Sequence, residues 1–242
     1  MREGFALMFD GHELSDLFFV ERGVARSVPS WSPRLVGVAG RDGTVFAGTR
    51  AEGVEVAVRL HAMQDTREGR QEAMRALATW LAVDGPRPLF LGDEGGRWRM
   101  AVPTDVSDIS PTLSSDSVEV RFACPDPLLR GAEREVTVPS GGSTTFLVGG
   151  TAPAPLSIVA QSARNGSGGY WRVRAEDGRY VIARVADATA VEFDCESRVM
   201  RVGGNVAMLE PEADWLWLEP GEHTLSMTGT GAAVVTWTER WW

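Results

Sequence analysis

The chain contains no lysine. All 24 of its basic residues are arginine, set against 33 acids and only 3 histidines, for a formal net charge of −9. Arginine in place of lysine throughout reflects codon bias before it reflects any demand for guanidinium chemistry. Cut at Gly131, the first part carries 15 arginines and 19 acids, a balance of −4, and the second 9 and 14, a balance of −5. Neither half has the clustered basic excess that polyanion binding requires, which argues against sequence-specific nucleic-acid recognition. Cysteine is nearly absent too. Cys124 and Cys195 stand one to each half, with neither a zinc spacing nor a disulfide framework around them, and read as buried small hydrophobes. Long apolar runs are missing: Leu17 to Val20 and Ala232 to Val235 are far too short to span a bilayer. The opening MREGFALMFDG holds Glu3 and Asp10 and no apolar core of signal-peptide length, so a cytoplasmically made, soluble protein without a membrane partner is expected.

What is present is β-forming sequence, punctuated by 27 glycines and 13 prolines. The stretch Val118 to Arg130, VEVRFACPDPLLR, divides it. Val118, Val120, Phe122 and Cys124 alternate with Glu119, Arg121 and Ala123, the period of a half-buried strand. Pro125 and Pro127 then remove two backbone donors and force the chain out of the ladder. Pro125, Asp126 and Pro127 are therefore the expected domain hinge, between a domain at residues 1–131 and another at 132–242.

In the first domain, a strand is expected over Glu3 to Asp10, with an ambiguous apolar segment over Leu14 to Val20. The clearest strand has Val54, Val56, Val58 and Leu60 on one face. Met74, Leu77, Ala78 and Leu81 recur at helical spacing, with Asp65 as the expected cap and Glu68 completing a capping box. Arg67, Arg70, Glu72 and Arg75 fall on the wet side of that helix, and Asp84-Gly85-Pro86 ends it. Strands over Leu89–Leu91 and Arg97–Val102 follow, then a polar connection from Pro103 to Ser117. Asp93 and Glu94, between them, read as a solvated glycine turn. Upstream, Arg41-Asp42-Gly43 carries the Asp-Gly pair of a two-residue hairpin turn. Its flanks are only half apolar, so the hairpin needs another surface to rest on, which a neighbouring subunit would supply.

Beyond the hinge, ten short strands recur every eight to twelve residues with turns at SGGS, NGSGG, EDG, GGN and EPGE and no helix signal. The fold class expected is mainly β: an α+β N-terminal domain with one helix on a β-sandwich, and a C-terminal sandwich of jelly-roll type.

Constellations that carry chemistry are lacking. The glycine run Gly166 to Gly169 has no Lys-Ser/Thr after it and cannot be a phosphate loop. Asn165-Gly166-Ser167 matches a glycosylation triplet by chance. Cys195 lies between Asp194 and Glu196, which oppose thiolate formation. His12, His61 and His223 are scattered singly, and no nucleophile–base pair is visible. No enzyme, cofactor or metal is expected. Six of the 9 tryptophans lie in the second half. Tyr170 and Trp171, with Trp215 and Trp217, could line a sugar-binding groove; Trp215 and Trp217, sharing one strand face, read equally as core. Trp241 and Trp242 put apolar surface on a terminus, for docking on their own domain or a partner.

One resemblance spans nearly the whole chain. Phe5-x-x-x-Phe9-Asp10-Gly11, the proline-rich lead into Val38 to Gly43, the helix ending in Trp80-Leu81, the strand Pro88 to Leu91 and Phe122-x-Cys-Pro-Asp-Pro127 are similar, in that order, to the distal tail proteins of long-tailed, non-contractile bacteriophages. Phe193 to Leu209 and Asp214 to Trp242, with Trp217, Pro220 and Gly221 in a Leu-x-Pro-Gly turn, resemble the closing hairpins of their galectin-like carboxyl domain. The resemblance implies a structural protein of the virion, forming a homo-hexameric ring between the tail tube and the tail-tip or baseplate proteins. The first domain would form the ring and the second would point outward. It also implies a hairpin belting the neighbouring subunit, for which Val28 to Gly48 is the candidate, with Trp31, Arg34, Arg41, Asp42, Gly43 and Phe46 as contact residues. The hinge-to-end length leaves no room for an inserted sugar-binding module. A mildly acidic ring suits a lumen through which a genome passes without sticking. The competing reading is a carbohydrate-binding or adhesin-like sandwich that uses Tyr170, Trp171, Trp241 and Trp242.

Overall fold

The computed structural model describes residues 5–21, 24–111, 116–185 and 187–242. It divides into two compact units, residues 1–129 and 130–242, each with its own hydrophobic core.

Among the described residues, unit 1 has one long antiparallel sheet, a separate two-stranded hairpin, one α-helix and a short 3-10 turn at Leu14–Asp16. Its main strands are β1 (Leu7–Phe9), β2 (Phe18–Val20), β3 (Trp31–Gly37), β4 (Thr44–Ala51), β5 (Val54–Ala62), β6 (Arg87–Leu91), β7 (Trp98–Val106) and β8 (Asp116–Cys124). The hydrogen-bonded order is β1-β6-β7-β8-β5, with β2 and the two-residue strand Ala25–Arg26 on the far side of β5. Strict alternation in β5 buries Val54, Val56, Val58 and Leu60 against the matching set Val118, Val120, Phe122 and Cys124 of β8. The sheet curls enough for Phe9 of β1 to reach Phe122 of β8, ring centroids 5.1 Å apart. A register shift between Arg121 and Phe122 provides local bending.

Helix α1 (Arg67–Trp80) buries Ala73 and Leu77. Its cap is Thr66, whose hydroxyl accepts from Gly69 N at 3.1 Å, one residue later than the expected Asp65. Arg70 departs further from expectation. Far from lying in water it is 8% exposed, with Nη1 donating to the carbonyls of Gln64 and Asp65 and Nε 3.5 Å from Asp116 Oδ2. The polar connection expected from Pro103 is partly strand: β7 continues to Val106, with Pro103 opposite Phe122 at the bulge, and a bridge joins Ser110–Pro111 to Asp116–Ser117. Positions 112–115 lie outside the described residues, as do Glu3 and Gly4 of the expected first strand.

Unit 2 is a β-sandwich. One sheet runs β9 (Leu129–Val138), β18 (Ala233–Trp241), β11 (Ser157–Ala163), β14 (Thr189–Asp194), β15 (Val199–Val202), β16 (Asn205–Ala207); the other runs β10 (Ser143–Val148), β17 (Gly221–Thr228), β12 (Trp171–Ala175), β13 (Tyr180–Ala183). Between them lie Leu156, Ile158, Val173, Val181, Val191, Phe193, Leu225 and Val235. Trp171 of β12 stacks on Phe193 of β14 across the sandwich at 6.2 Å and 9°. Sequence alone did not show β16, whose three residues are exposed or half-exposed.

Candidate assembly surfaces

Strands β3 and β4 form a two-stranded sheet of their own. Every residue of β3 is exposed and six of eight in β4 are, although the pair carries Trp31, Leu35, Val36, Val45 and Phe46. Folding such a hairpin leaves apolar area in water that an isolated monomer gains nothing by displaying. Its turn is longer than the expected two-residue Asp-Gly type. Gly37 pairs with Thr44, so six residues from Val38 to Gly43 close it, with Arg41 N on Val38 O and positive φ at Gly40 and Gly43. Arg34 sits where the register shifts between Pro33 and Leu35, facing the two residues Ala47 and Gly48, the latter at φ 123°.

A second apolar surface of unit 1 lies beside α1. Met74, Leu77 and Leu81 from the helix side and Val106, Ile109 and Val118 from the sheet side line a groove of about 540 Å³. Val106 and Ile109 at its rim are about half exposed. The residues Pro125 to Pro127 follow β8 directly. Asp126 Oδ1 accepts from Leu128 N at 3.1 Å, a local turn made by the side chain, and the chain passes from unit 1 to unit 2 two residues after Pro127.

In unit 2 the tryptophan groove is not formed. Trp171 is fully buried, with Nε1 donating to Gly231 O at 3.4 Å, so it is removed from the candidate partner or glycan surface. Strand alternation is the cause: Trp171, Val173 and Ala175 face inward, and Tyr170, outside the strand, is half-buried. Trp217 and Trp215 pack against the core, the core alternative, although Trp215 lies outside any strand. The ring of Trp241 lies on Gly131, where a Cβ would be 2.2 Å from it, while Trp242 is 49% exposed and donates its N–H to Thr151 Oγ1.

The polar clusters of each unit include ion pairs between residues far apart in sequence. Glu196 accepts from Arg240 Nη2 at 2.5 Å and Arg130 Nη2 at 2.7 Å, and the buried Arg240 also lies over the Trp217 ring. Glu94, expected in a solvated turn, is 8% exposed and holds Arg99 at 2.7 Å, while its neighbour Asp93 meets Arg26. Nothing local in the sequence marks these partners, since each pair comes from residues that only the folded sheet brings together. Both thiols are buried, and burial pushes each up to about 11. His12 stacks on Trp80, His61 meets Glu21 and His223 lies between Glu176 and Glu219 O; none faces a nucleophile. Among the described residues no three His, Cys, Asp or Glu side chains converge to hold a metal, and no helix is long and apolar enough to cross a membrane.

Two β-rich units, each with its own core, and an apolar hairpin exposed on the first define a β-rich protein that offers apolar surface for docking. Residues 9–124 match the family model described as phage tail protein RIFT-related domain, and residues 149–241 match the siphovirus-type tail component, C-terminal domain. The chain is 25% identical to the distal tail protein of Bacillus phage SPP1 over 252 residues, 98% of this chain and 95% of that one. The chain therefore belongs to the siphophage distal tail protein family and is a structural component of the virion tail. Among solved structures, the crystal structure of SPP1 Dit, described as a paradigm of the hub adsorption apparatus in phages infecting Gram-positive hosts, superposes with a TM-score of 0.78 at 22% identity, covering 98% of this chain and 99% of that one. A chain of the phage p2 baseplate in its activated conformation gives 0.50 at 11% identity, with 97% of each chain covered. Both share the fold.

Proposed function

We propose that six copies of this chain form a ring at the tip of the tail, joining the tail tube to the baseplate or receptor-binding proteins and performing no catalysis. Unit 1 forms the ring and attaches to the tube; unit 2, the galectin-like module, faces outward, and the Pro125-Asp126-Pro127 turn is the hinge between their roles. The observation that carries the reading is the hairpin β3–β4, an apolar projection that forms a sheet by itself. One heterologous contact repeated around an axis closes a ring. A hairpin from each copy, laid with Trp31, Leu35 and Phe46 against the next copy, is such a contact, and Arg34, Arg41, Asp42 and Gly43 bring its bulge and turn to the same neighbour. The groove beside α1 is the surface of unit 1 suited to receive it, being apolar, open and large enough for several side chains. The non-basic balance of both halves fits a lumen that DNA crosses without binding.

The hub adsorption apparatus for which SPP1 Dit is a paradigm, and the baseplate origin of the p2 chain, support the same placement. Native mass spectrometry of the purified chain, together with electron microscopy of tails carrying a labelled copy, tests it. Six copies per particle and label at the tail tip are expected. Label along the tube, or a stable dimer, would overturn the reading.

A further inference from the structure

The outer face of the β10-β17-β12-β13 sheet carries a feature that a purely scaffolding unit does not need. Arg172 is stacked on two tyrosines at once, its guanidinium carbon 4.9 Å from the ring centre of Tyr170 and 5.3 Å from that of Tyr180. The glycine loop before it makes this possible: a Cβ on Gly168 would lie 2.7 Å from the Tyr170 ring. An arginine held by aromatic faces has little rotational freedom left to lose on binding, and its planar fork matches oxyanions. Arg174, next on the same face, is exposed and lies roughly 7 Å further along the strand.

Neither arginine meets a carboxylate among the described residues. Six other arginines of unit 2, Arg130, Arg134, Arg179, Arg184, Arg201 and Arg240, do, whereas Arg164 and Arg198, away from this face, do not. The nearby Glu176 is engaged with His223 and Thr224 N. In a chain of net charge −9, two uncompensated cations side by side form a local attraction for a polyanion. Around them the face is hydroxylic: Thr228 is the cross-strand partner of Arg172, and Ser226 that of Arg174.

We propose that this face binds an anionic glycan, a polymer of sugar or polyol units joined through phosphates. Arg172 and Arg174 take successive phosphates through charge-assisted hydrogen bonds, while Ser226 and Thr228 meet the polyol hydroxyls. A protein partner is a poorer fit, because docking on a protein needs apolar anchors and this stretch of sheet offers hydroxyls and guanidinium groups. Single-stranded nucleic acid is poorer still, since bases stack on open aromatic faces and those of Tyr170 and Tyr180 are occupied by Arg172. Polyuronates tend to turn successive carboxylates to opposite sides of the chain, whereas two arginines on one strand face ask for charges on one side. The proposal is independent of ring formation.

The test is calorimetric titration of the full chain with polyglycerol phosphate, and in parallel with dextran, polygalacturonate and a single-stranded oligonucleotide. Binding of polyglycerol phosphate alone, weakened by added salt, is expected. Arg174→Gln, at an exposed position, and Arg172→Lys, which keeps the charge and loses the fork, each weaken binding about tenfold or more with melting temperature unchanged. No binding by the unaltered chain, binding by both variants as tight as by the unaltered chain, or equal affinity for the oligonucleotide or polygalacturonate would overturn it.

Discussion

Leu35 and Phe46 face each other across the hairpin β3–β4, paired directly in register, yet they are 57% and 62% exposed. A cross-strand apolar pair normally marks the buried side of a sheet. Here both stay exposed, and in the proposed ring the pair supplies one half of an interface whose other half is the next copy. On that reading the burial energy of the pair is released on assembly, after the subunit has folded.

Replacing Leu35 and Phe46 together by aspartate therefore separates folding from assembly. Exposed positions tolerate such changes within about 0.5 kcal/mol each, so the melting temperature of the isolated chain stays nearly constant. Two charges placed in an apolar contact abolish the higher-order particle, read by native mass spectrometry. Loss of folding in the doubly substituted chain would show that the hairpin is part of the core of unit 1.

Trp171 and Trp242 give the opposite contrast in unit 2. Trp171→Ala removes a fully buried ring stacked on Phe193 and costs about 3 to 5 kcal/mol, shifting the denaturant midpoint of unit 2 strongly. Trp242→Ala changes it little, because half the side chain is already in water.

That contrast also shows what the sequence makes legible. Trp171 and Trp242 look alike as aromatic residues in a glycine-rich β-domain. Only the inward phase of Trp171-Val173-Ala175 separates them, and a five-residue strand flanked by glycines gives too short a run to fix that phase. Where alternation is long, as from Val54 to Leu60 or Val118 to Cys124, strand and buried face were both readable. The hairpin was readable from Arg41-Asp42-Gly43 between β-prone flanks, although the length of its turn was not, because six residues with two left-handed glycines mimic the Asp-Gly signal. Arg70, Glu94 and Arg172 were not legible as buried or stacked. Their partners, Asp116, Arg99 and the two tyrosines, are chosen by tertiary packing, and a charged side chain on a wet-looking position carries no local sign of it.

The two thiols predict an alkaline limit. Burial raises Cys124 and Cys195 from 9.0 to about 11, so both are neutral in the folded chain near pH 7. A group whose folded value lies above its unfolded one contributes stability that is complete below the unfolded value and is lost as pH rises through the folded one. Stability should fall between pH 9 and 11, and should fall less in a Cys124→Ala, Cys195→Ala chain measured against its own value at pH 8. At pH 8 each native thiol reacts with a thiol reagent only at the rate at which its own unit unfolds, Cys124 with unit 1 and Cys195 with unit 2.

Gly150 and Gly204 both have positive φ, 104° and 79°, but they meet different surroundings. Around Gly204 no atom lies within 4 Å of where a Cβ would stand, so Gly204→Ala carries only the backbone strain of a left-handed alanine, about 1 to 2 kcal/mol. At Gly150 a Cβ would lie 2.1 Å from the carbonyl oxygen of Arg240, a backbone atom that accepts the N–H groups of both Thr151 and Ala152, at 2.8 and 3.1 Å. Relief of that clash must break those bonds or shift the end of β18, where Arg240 is held by Glu196 and Trp217. Gly150→Ala should therefore destabilise unit 2 by more than about 3 kcal/mol, with loss of the near-ultraviolet signal of its tryptophans. Equal melting temperatures for the two variants would mean that the loop at Gly150 moves freely away from β18, and that the carbonyl of Arg240 does not anchor it.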